Sequence, residues 1–259
     1  LNIGNEYFRV DRSNPGQYWR VQDVIVRGAV VGDMTAAFDR NHAAALMIKA
    51  GRGIANTDRY WDATRDLLDR FGKIKMDYQT EPRLKKRVAH MAEGLPELKF
   101  EPARARFFQN RPRFEESYIT QAYLKLIRDA KEEVLIANAY FIPSAKFIEA
   151  IKDAARRCVR VIILTNSPET NDLPDLTIVG RDYYEQILDV NREPAVRNCP
   201  VEDPGIQIWE WQGRREGEKD RSQGTIHAKY AVFDRVVSLV GSHNLDPRSE
   251  KLNSETAII

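Results

Sequence analysis

The hydrophobic residues in the second half of the chain recur at spacings that alternate between helical and strand patterns. Apolar side chains at helical spacing predict a helix over 115–131, and the apolar run over 133–141 predicts a buried strand after it. A second helix is predicted over 144–156, with Ser144 as its N-cap, and a second buried strand over 159–166. Strands that alternate with helices in this way favour a mostly parallel sheet with helices on both faces.

The remaining periodic segments extend this pattern in both directions. The sequence predicts a helix over 175–190 and, nearer the N-terminus, a strand over 19–32 that leads into a helix over 33–41. Three more strands are predicted over 206–211, 228–234 and 236–240. The predicted fold class is therefore α/β.

The pattern divides the chain into three segments. Residues 1–40 contain the first strand and helix, and residues 41–114 are polar and helical before they end in a basic, proline-containing linker. The regular alternation of helices and strands occupies residues 115–259.

Composition and charge exclude several classes of protein. The 259 residues are 42% hydrophobic, too apolar for a disordered chain, and the two cysteines are too few for a disulfide scaffold. The formal net charge of +2 gives no electrostatic argument for a nucleic-acid partner. No apolar run in the sequence has the length of a membrane-spanning helix. Cys158 and Cys199 lack the spacing of metal ligands and are predicted to be free thiols in a reducing compartment.

The residues with the clearest chemistry lie near the C-terminal end. His227 and Lys229 are two residues apart, as are Ser242 and Asn244, so on strands each pair points to one face. Two adjacent strands would then present an imidazole, an ammonium, a hydroxyl and an amide to one point, which suits a phosphate group. Gly241 would allow a close approach of backbone or substrate.

Three neighbouring residues are assigned other roles. Asp234 lies seven residues after His227 and would point away from that face, so we expect it to fix a turn through hydrogen bonds to the backbone. His243 should face away for the same reason and contribute to packing. Glu255 is predicted to accept a hydrogen bond from the far ring nitrogen of His227 and so to fix its tautomer.

The complete pattern H-x-K-x4-D-x6-G-S-x-N over 227–244 resembles the signature of the phospholipase D superfamily. The segments AYFIP at 139–143, LTNSP at 164–168 and NLDPRS at 244–249 are similar to its bacterial cardiolipin-synthase-like branch. This resemblance implies an α-β-α sandwich built from two pseudo-symmetric halves, each of which carries one copy of the motif.

The N-terminal residues, LNIGNEYF, resemble the segment directly after the first motif in these enzymes. Asn2 would then be the asparagine of that motif and bind the substrate phosphate, and Asp23 would be the counterpart of Glu255. No other histidine in the sequence is followed by x-Lys. We therefore expect residues 1–40 to be the end of a truncated first half, the missing half to be required for activity, and the isolated chain to be inactive.

The resemblance implies catalysis through a phosphohistidine, without a metal or another cofactor. Lys229, Ser242 and Asn244 would bind the phosphate, and the missing first histidine would be the nucleophile with His227 as general acid and base. The implied function is a phosphatidyltransferase that makes cardiolipin from phosphatidylglycerol, in the cytoplasm and peripheral to the bacterial inner membrane. The alternatives are a hydrolase of phospholipid or nucleic acid and a non-catalytic scaffold half.

Overall fold

The computed structural model describes residues 18–20, 22, 24–49, 100–213 and 224–259. The chain forms two compact units, one of Leu1–Val31 with Ala105–Ile259 and one of Gly32–Arg104. Part of the predicted linker, Phe107–Arg111, is a strand that pairs within the sheet of the first unit.

The strands, in chain order, are β1 (Tyr18–Arg20), β2 (Phe107–Arg111), β3 (Glu116–Ser117), β4 (Glu133–Asn138), β5 (Arg160–Asn166), β6 (Ile206–Trp211), β7 (Gly224–Ile226), β8 (Lys229–Phe233), β9 (Val237–Gly241) and β10 (Glu255–Ile258). Within the described part of the chain, eight of them form one sheet in the order β3-β2-β10-β9-β8-β4-β5-β6. β1 and β7 pair in parallel as a separate ribbon.

The sheet is mixed and mostly antiparallel, so the prediction of a mostly parallel sheet is wrong. Within it only two neighbouring pairs are parallel, β4 with β5 and β5 with β6. One reason is that β8 and β9 are joined by a tight turn instead of a helical crossover, and a tight turn can connect only antiparallel strands. The α/β class itself, a large sheet flanked by helices, is confirmed.

The helices are α1 (Ala29–Lys49), α2 (Tyr118–Asp129), α3 (Ala145–Arg156), α4 (Pro174–Arg181), α5 (Tyr184–Leu188), α6 (Pro194–Arg197) and α7 (Pro247–Lys251), with 3₁₀ turns at Pro112–Phe114 and Asp189–Arg192. The helix predicted over 175–190 is thus divided into shorter pieces. The strand predicted over 19–32 is limited to β1. Helix α1 begins directly after Gly28, whose φ of 92° is incompatible with an extended strand and is readily adopted only by glycine. Among the described helices, none combines the length and the apolar character that a membrane span requires.

The core lies between the sheet and the helices α2 and α3. The helical spacing of α2 correctly predicts its buried face, since Ile119, Tyr123 and Ile127 are all at most 1% exposed. The Tyr123 ring meets the edges of Phe147 on α3 and Phe233 on β8, with ring centroids 5.7 and 5.9 Å apart. These contacts connect both helices to the strand that begins at Lys229.

Cys158 and Cys199 form a disulfide between the turn after α3 and the chain just beyond the short helix α6. The prediction of two free thiols is therefore wrong. The pairing could not be predicted from the sequence, because the two residues are 41 positions apart and meet only when α6 packs beside the end of α3. Disulfides persist mainly in oxidising compartments, so the cysteines no longer argue for a reducing one.

Removing this disulfide should destabilise the chain substantially. For a loop closed by residues 41 positions apart, the chain-entropy estimate is about 4 kcal/mol. The double variant Cys158→Ala/Cys199→Ala should therefore unfold at a lower urea concentration than the wild type. Adding dithiothreitol should lower the midpoint of the wild type and leave that of the double variant unchanged. Equal midpoints for the oxidised wild type and the double variant would contradict the structural role.

Asp234 links the β8–β9 turn to the start of β4. Asp234 and Arg235 both have positive φ, 51° and 55°, as the central residues of a tight turn between antiparallel strands require. The Asp234 carboxylate accepts hydrogen bonds from the backbone N–H groups of Lys131, Glu132 and Glu133 at 2.8–3.1 Å. We expected these bonds within its own turn, whereas they reach the neighbouring strand.

Replacing Asp234 by Ala should lower stability by about 1–2 kcal/mol, because three backbone donors lose a charged acceptor that is partly exposed to solvent. Asp234→Asn should cost less, since the amide oxygen still accepts. Urea unfolding measures the stability of both variants. Asp129→Asn, on the exposed face of α2, is the control and should have the same unfolding midpoint as the wild type.

The pH dependence of this stabilisation has a definite sign. Burial raises the pKa of Asp234, but the three backbone donors lower it by more, so its folded pKa lies below the ordinary 3.8. The carboxylate's contribution is therefore full above pH 3.8 and is lost as the pH falls through the folded pKa. The stability difference between the wild type and Asp234→Ala should shrink in acid, and a constant difference would argue against the hydrogen bonds.

Candidate active site

His227 and Lys229 lie at the N-terminal end of β8, in the middle of the sheet. The register of β4 and β8 places Lys229 opposite Asn138, and Lys229 is only 8% exposed. Its Nζ donates a hydrogen bond of 2.6 Å to the backbone oxygen of His227. His227 is half-buried in the short link between β7 and β8. The ammonium and the imidazole thus occupy one end of the central strands.

The second part of the motif reaches the same place from β9. Tyr230 pairs with Val240, and continuing this antiparallel register by one residue sets Lys229 opposite Gly241. Asn244 comes shortly after and is 8% exposed; its buried Oδ1 accepts no hydrogen bond from the residues that the structure describes. The backbone therefore brings both sequence-predicted pairs to adjacent strand ends, and the convergence of their side chains on one point stays a prediction.

Gly241 is required by the approach of β10. A Cβ at this position would overlap the backbone oxygen of Thr256 and would lie 2.7 Å from the Cα of Ala257. Both separations are far below van der Waals contact, and both neighbours are main-chain atoms that cannot turn aside. The close approach of backbone expected at Gly241 is thus the approach of β10, the strand that begins at Glu255.

Glu255 is buried between two hydroxyl groups. Its Oε2 accepts a short hydrogen bond from Ser242 Oγ, and its Oε1 accepts one of 3.0 Å from Ser249 Oγ. Burial raises the pKa of Glu255, and these hydrogen bonds, with one from Asn253, oppose that rise. Glu255 is therefore held in place by serines, and its orienting role toward His227 remains a prediction.

The Ser242 hydroxyl is already engaged by Glu255. A hydroxyl has a single hydrogen, which Ser242 donates to Glu255, while its oxygen accepts the backbone N–H of Thr256 at 3.0 Å. In this arrangement the serine fixes a carboxylate beside the site, and its predicted contact with a substrate phosphate stays a prediction.

Burial and nearby charges set the pKa values of the two central groups. Burial, together with the nearby charge of Lys229, lowers the pKa of His227 to about 3, so its imidazole is neutral at pH 7. Burial likewise lowers the pKa of Lys229 to about 7, against the opposing charges of Glu255, Asp172 and Asp246. A neutral imidazole is the form that can attack phosphorus or remove a proton.

Two residues that the motif does not include also line the site. The Tyr140 ring stands edge-on to the His227 ring, with 6.2 Å between centroids, and Lys229 Nζ lies 5.8 Å from its centroid. The Tyr140 hydroxyl donates to the Asp172 carboxylate at 2.8 and 2.9 Å. The available sequence signal was the AYFIP segment at 139–143, which contains Tyr140 and is similar to the cardiolipin-synthase-like branch.

Two buried asparagines hold the backbone around the site. Asn138 Oδ1 accepts the N–H of Leu245, the residue after Asn244, at 3.1 Å. Asn166 brackets Ile226, the residue before His227, since its Oδ1 accepts the N–H and its Nδ2 donates to the oxygen, both at 2.8 Å. Both side chains are fully buried at the ends of β4 and β5. Asn166 lies in the LTNSP segment at 164–168, whereas no pattern in the sequence distinguished Asn138 from other strand-end polar residues.

His243, two residues after β9, packs against α2, in agreement with its predicted role in packing. It is 1% exposed, and its Nε2 lies 3.1 Å from the hydroxyl of Thr120 on α2. Burial lowers its pKa. It is therefore a packed histidine, separate from the imidazole of His227.

Two predicted site residues, Asn2 and Asp23, lie outside the residues that the structure describes. Within the described ranges, no group of three or more His, Cys, Asp or Glu residues could hold a metal ion.

The phospholipase D class indicated by this motif agrees with the sequence comparisons. The profile described as "Cardiolipin synthase, PLD-like domain" matches residues 123–259, slightly more than half of the chain. The chain belongs to this family. The matched region starts within α2 and includes β4 to β10, and therefore every described residue of the site.

The curated relatives are longer than this chain. Cardiolipin synthase B of Escherichia coli K12 is 34% identical over 142 residues, which are 54% of this chain and 28% of the relative. An uncharacterized protein of Helicobacter pylori J99 is 31% identical over 147 residues, 55% of this chain and 26% of the relative. The match thus spans little more than a quarter of each relative's length.

Two solved structures show a weaker likeness. The phospholipase D family member Nuc of Salmonella typhimurium is 19% identical with a TM-score of 0.40, over 60% of this chain and 80% of that chain. The phosphatidylserine synthase of Haemophilus influenzae Rd KW20 is 18% identical with a TM-score of 0.46, over 60% and 34%. The family membership rests on the sequence match and not on these two structures.

Replacing Lys229 by Met should raise the pKa of His227, because it removes the positive charge that opposes protonation of the imidazole. The value should rise from about 3 but stay below the ordinary 6.5, since burial, the larger cause, remains. A pH titration of the imidazole nitrogens by NMR measures this. Lys125→Met, whose ammonium pairs with Asp129 on an exposed face, is the matched control and should change nothing. An unchanged His227 pKa in Lys229→Met would contradict the electrostatic coupling.

Proposed function

We propose that this chain supplies one half of an active site that transfers a phosphatidyl group between alcohols, most directly to make cardiolipin from phosphatidylglycerol. One observation carries the proposal: a half-buried imidazole, His227, which is neutral at pH 7, lies beside the ammonium of Lys229 near the ends of β8 and β9. Membership of the family supports the reaction class. The choice of cardiolipin is based on the names of the relatives.

In the proposed first step, an imidazole nitrogen attacks the phosphorus of the lipid phosphodiester. A nitrogen–phosphorus bond forms, the bond to the departing alcohol oxygen breaks, and that oxygen takes a proton from a second acid. In the second step, the hydroxyl of the acceptor attacks phosphorus, loses its proton to a base and displaces the imidazole. The phosphohistidine therefore exists only between the two transfers.

Lys229 and Asn244 would stabilise the charge that develops on the phosphoryl oxygens. The ammonium supplies a positive charge, and the Asn244 amide supplies hydrogen-bond donors at the adjacent strand end. An anionic phosphate next to Lys229 would raise the pKa of that group and so keep it charged. The lowered pKa of His227 suits attack or proton removal better than proton donation in the resting state.

The complete site would need a second imidazole and its companion lysine. The resemblance assigns these to the first motif, with Asn2 as a further phosphate ligand and Asp23 as the partner carboxylate of that half. The proposed substrate partner is a phospholipid at a membrane surface, and the proposed location is peripheral to the bacterial inner membrane. The disulfide removes the support that free thiols gave to a cytoplasmic face.

The test uses labelled phosphatidylglycerol in vesicles and the protein as its gene encodes it. Two phosphatidylglycerol molecules should give one cardiolipin and one glycerol, and His227→Ala should lower the rate by about 10⁴-fold or more. His42→Ala, on helix α1, is the matched histidine control and should retain activity. Thin-layer chromatography separates the products.

The products discriminate between the remaining functions. Phosphatidic acid without cardiolipin would show a hydrolase that uses water as acceptor. No turnover of any phosphodiester by the gene product would support the scaffold alternative. Activity that disappears in EDTA would be inconsistent with catalysis by imidazole alone.

A further inference from the structure

Tyr140 contacts both central groups of the candidate site although it belongs to neither part of the motif. Its ring edge faces the His227 imidazole, and the same ring lies 5.8 Å from Lys229 Nζ, within the range of a cation–π contact. Lys229 Nζ is meanwhile hydrogen-bonded to the backbone oxygen of His227. The lysine ammonium is thus confined between the phenol ring and the main chain.

The orientation of this ring is fixed from outside the site. The Tyr140 hydroxyl donates to both carboxylate oxygens of Asp172. Asp172 itself lies in a braced loop, because the buried Asn171 next to it accepts the N–H of Leu173 at 2.9 Å and donates to the hydroxyl of Thr177 at 2.6 Å. The ring is therefore held at its hydroxyl end by a loop whose geometry does not depend on the motif.

Asp172 also acts on Lys229 by charge. It is one of three carboxylates, with Glu255 and Asp246, whose negative charges favour the protonated form of this lysine. The three approach from different elements: the loop before α4, the start of β10 and the start of α7. Asp172 combines this charge with its hydrogen bond to the ring that lies near the ammonium.

We propose that Tyr140, held by Asp172, is a positioning residue that keeps the Lys229 ammonium and the His227 imidazole in their productive arrangement. Its significance for catalysis rests on the proposed function, while its effect on the geometry does not. The residue need not touch the substrate. It acts by excluding the other rotamers of a long, flexible lysine and by closing one side of the imidazole.

The first test separates the ring from its anchor. Tyr140→Leu removes both the ring and its hydroxyl and should lower kcat about tenfold with little change in KM, equivalent to about 1.4 kcal/mol in the barrier. Tyr140→Phe keeps the ring and loses only the bond to Asp172, so it should recover most of the lost rate. Tyr118→Leu, an exposed tyrosine at the start of α2, is the matched control and should have the wild-type rate.

The second test is a double-mutant cycle. Tyr140→Phe and Asp172→Ala each break the same hydrogen bond, so the double variant should lose no more rate than the greater of the two single losses. Additive losses would overturn the anchoring role. This cycle uses variants that preserve the ring, and it remains informative even if Tyr140→Leu does not fold.

An NMR readout makes the proposal independent of turnover. The imidazole resonances and the pKa of His227 should shift in Tyr140→Leu, shift less in Tyr140→Phe and stay constant in Tyr118→Leu. Shifts without any phosphodiester turnover by the wild type would refute the proposed function but retain the positioning role. A lower melting temperature with unchanged His227 resonances and unchanged kcat would show that Tyr140 is merely structural.

Discussion

The contact between Gly241 and β10 is the constraint on which the candidate site depends. Because Gly241 has no side chain, β10 can lie directly against the end of β9. This brings Glu255 to Ser242, and Glu255 in turn reaches Ser249 on α7. The Ser249 hydroxyl also accepts the backbone N–H of Asn244, so one carboxylate fixes the loop that carries the candidate phosphate ligand. A larger residue at position 241 would push β10 away from β9 and would displace both Glu255 and the loop that carries Asn244.

Burial of the site also disfavours the charged form of Lys229. Lys229 is almost fully enclosed, and burial alone would favour its neutral form, which could not stabilise a phosphoryl oxygen. The carboxylates of Glu255, Asp172 and Asp246 oppose this, and each is held by separate hydrogen bonds. The three carboxylates therefore favour the protonated form of Lys229 in addition to their structural hydrogen bonds.

Residue parity predicts that His227, Lys229 and Asn244 share a face and that His243 turns away, because side-chain direction in a strand is a local property. The structure brings His227 and Lys229 together and packs His243 against Thr120 on α2, and the convergence of Asn244 with the first pair stays a prediction. Strand direction and the Cys158–Cys199 pairing depend on contacts between distant segments, which leave no periodic pattern. The strand β2 lies in a polar, proline-containing stretch that was predicted to be a linker. Tyr140 and Asn166 lie in segments that the resemblance singles out, but no spacing in the sequence indicates which groups either side chain contacts.

The low pKa of His227 constrains how a two-histidine reaction could proceed. One imidazole must attack while another donates a proton, and a histidine that is neutral near pH 7 cannot donate at rest. An anionic phosphodiester would raise the pKa of His227 by partly cancelling the effect of Lys229. Burial, the larger cause of the low value, would remain, so the imidazole would stay mostly neutral near pH 7. In the proposed reaction His227 is therefore better suited to attack phosphorus or to remove a proton than to donate one, and the acid would be the other imidazole.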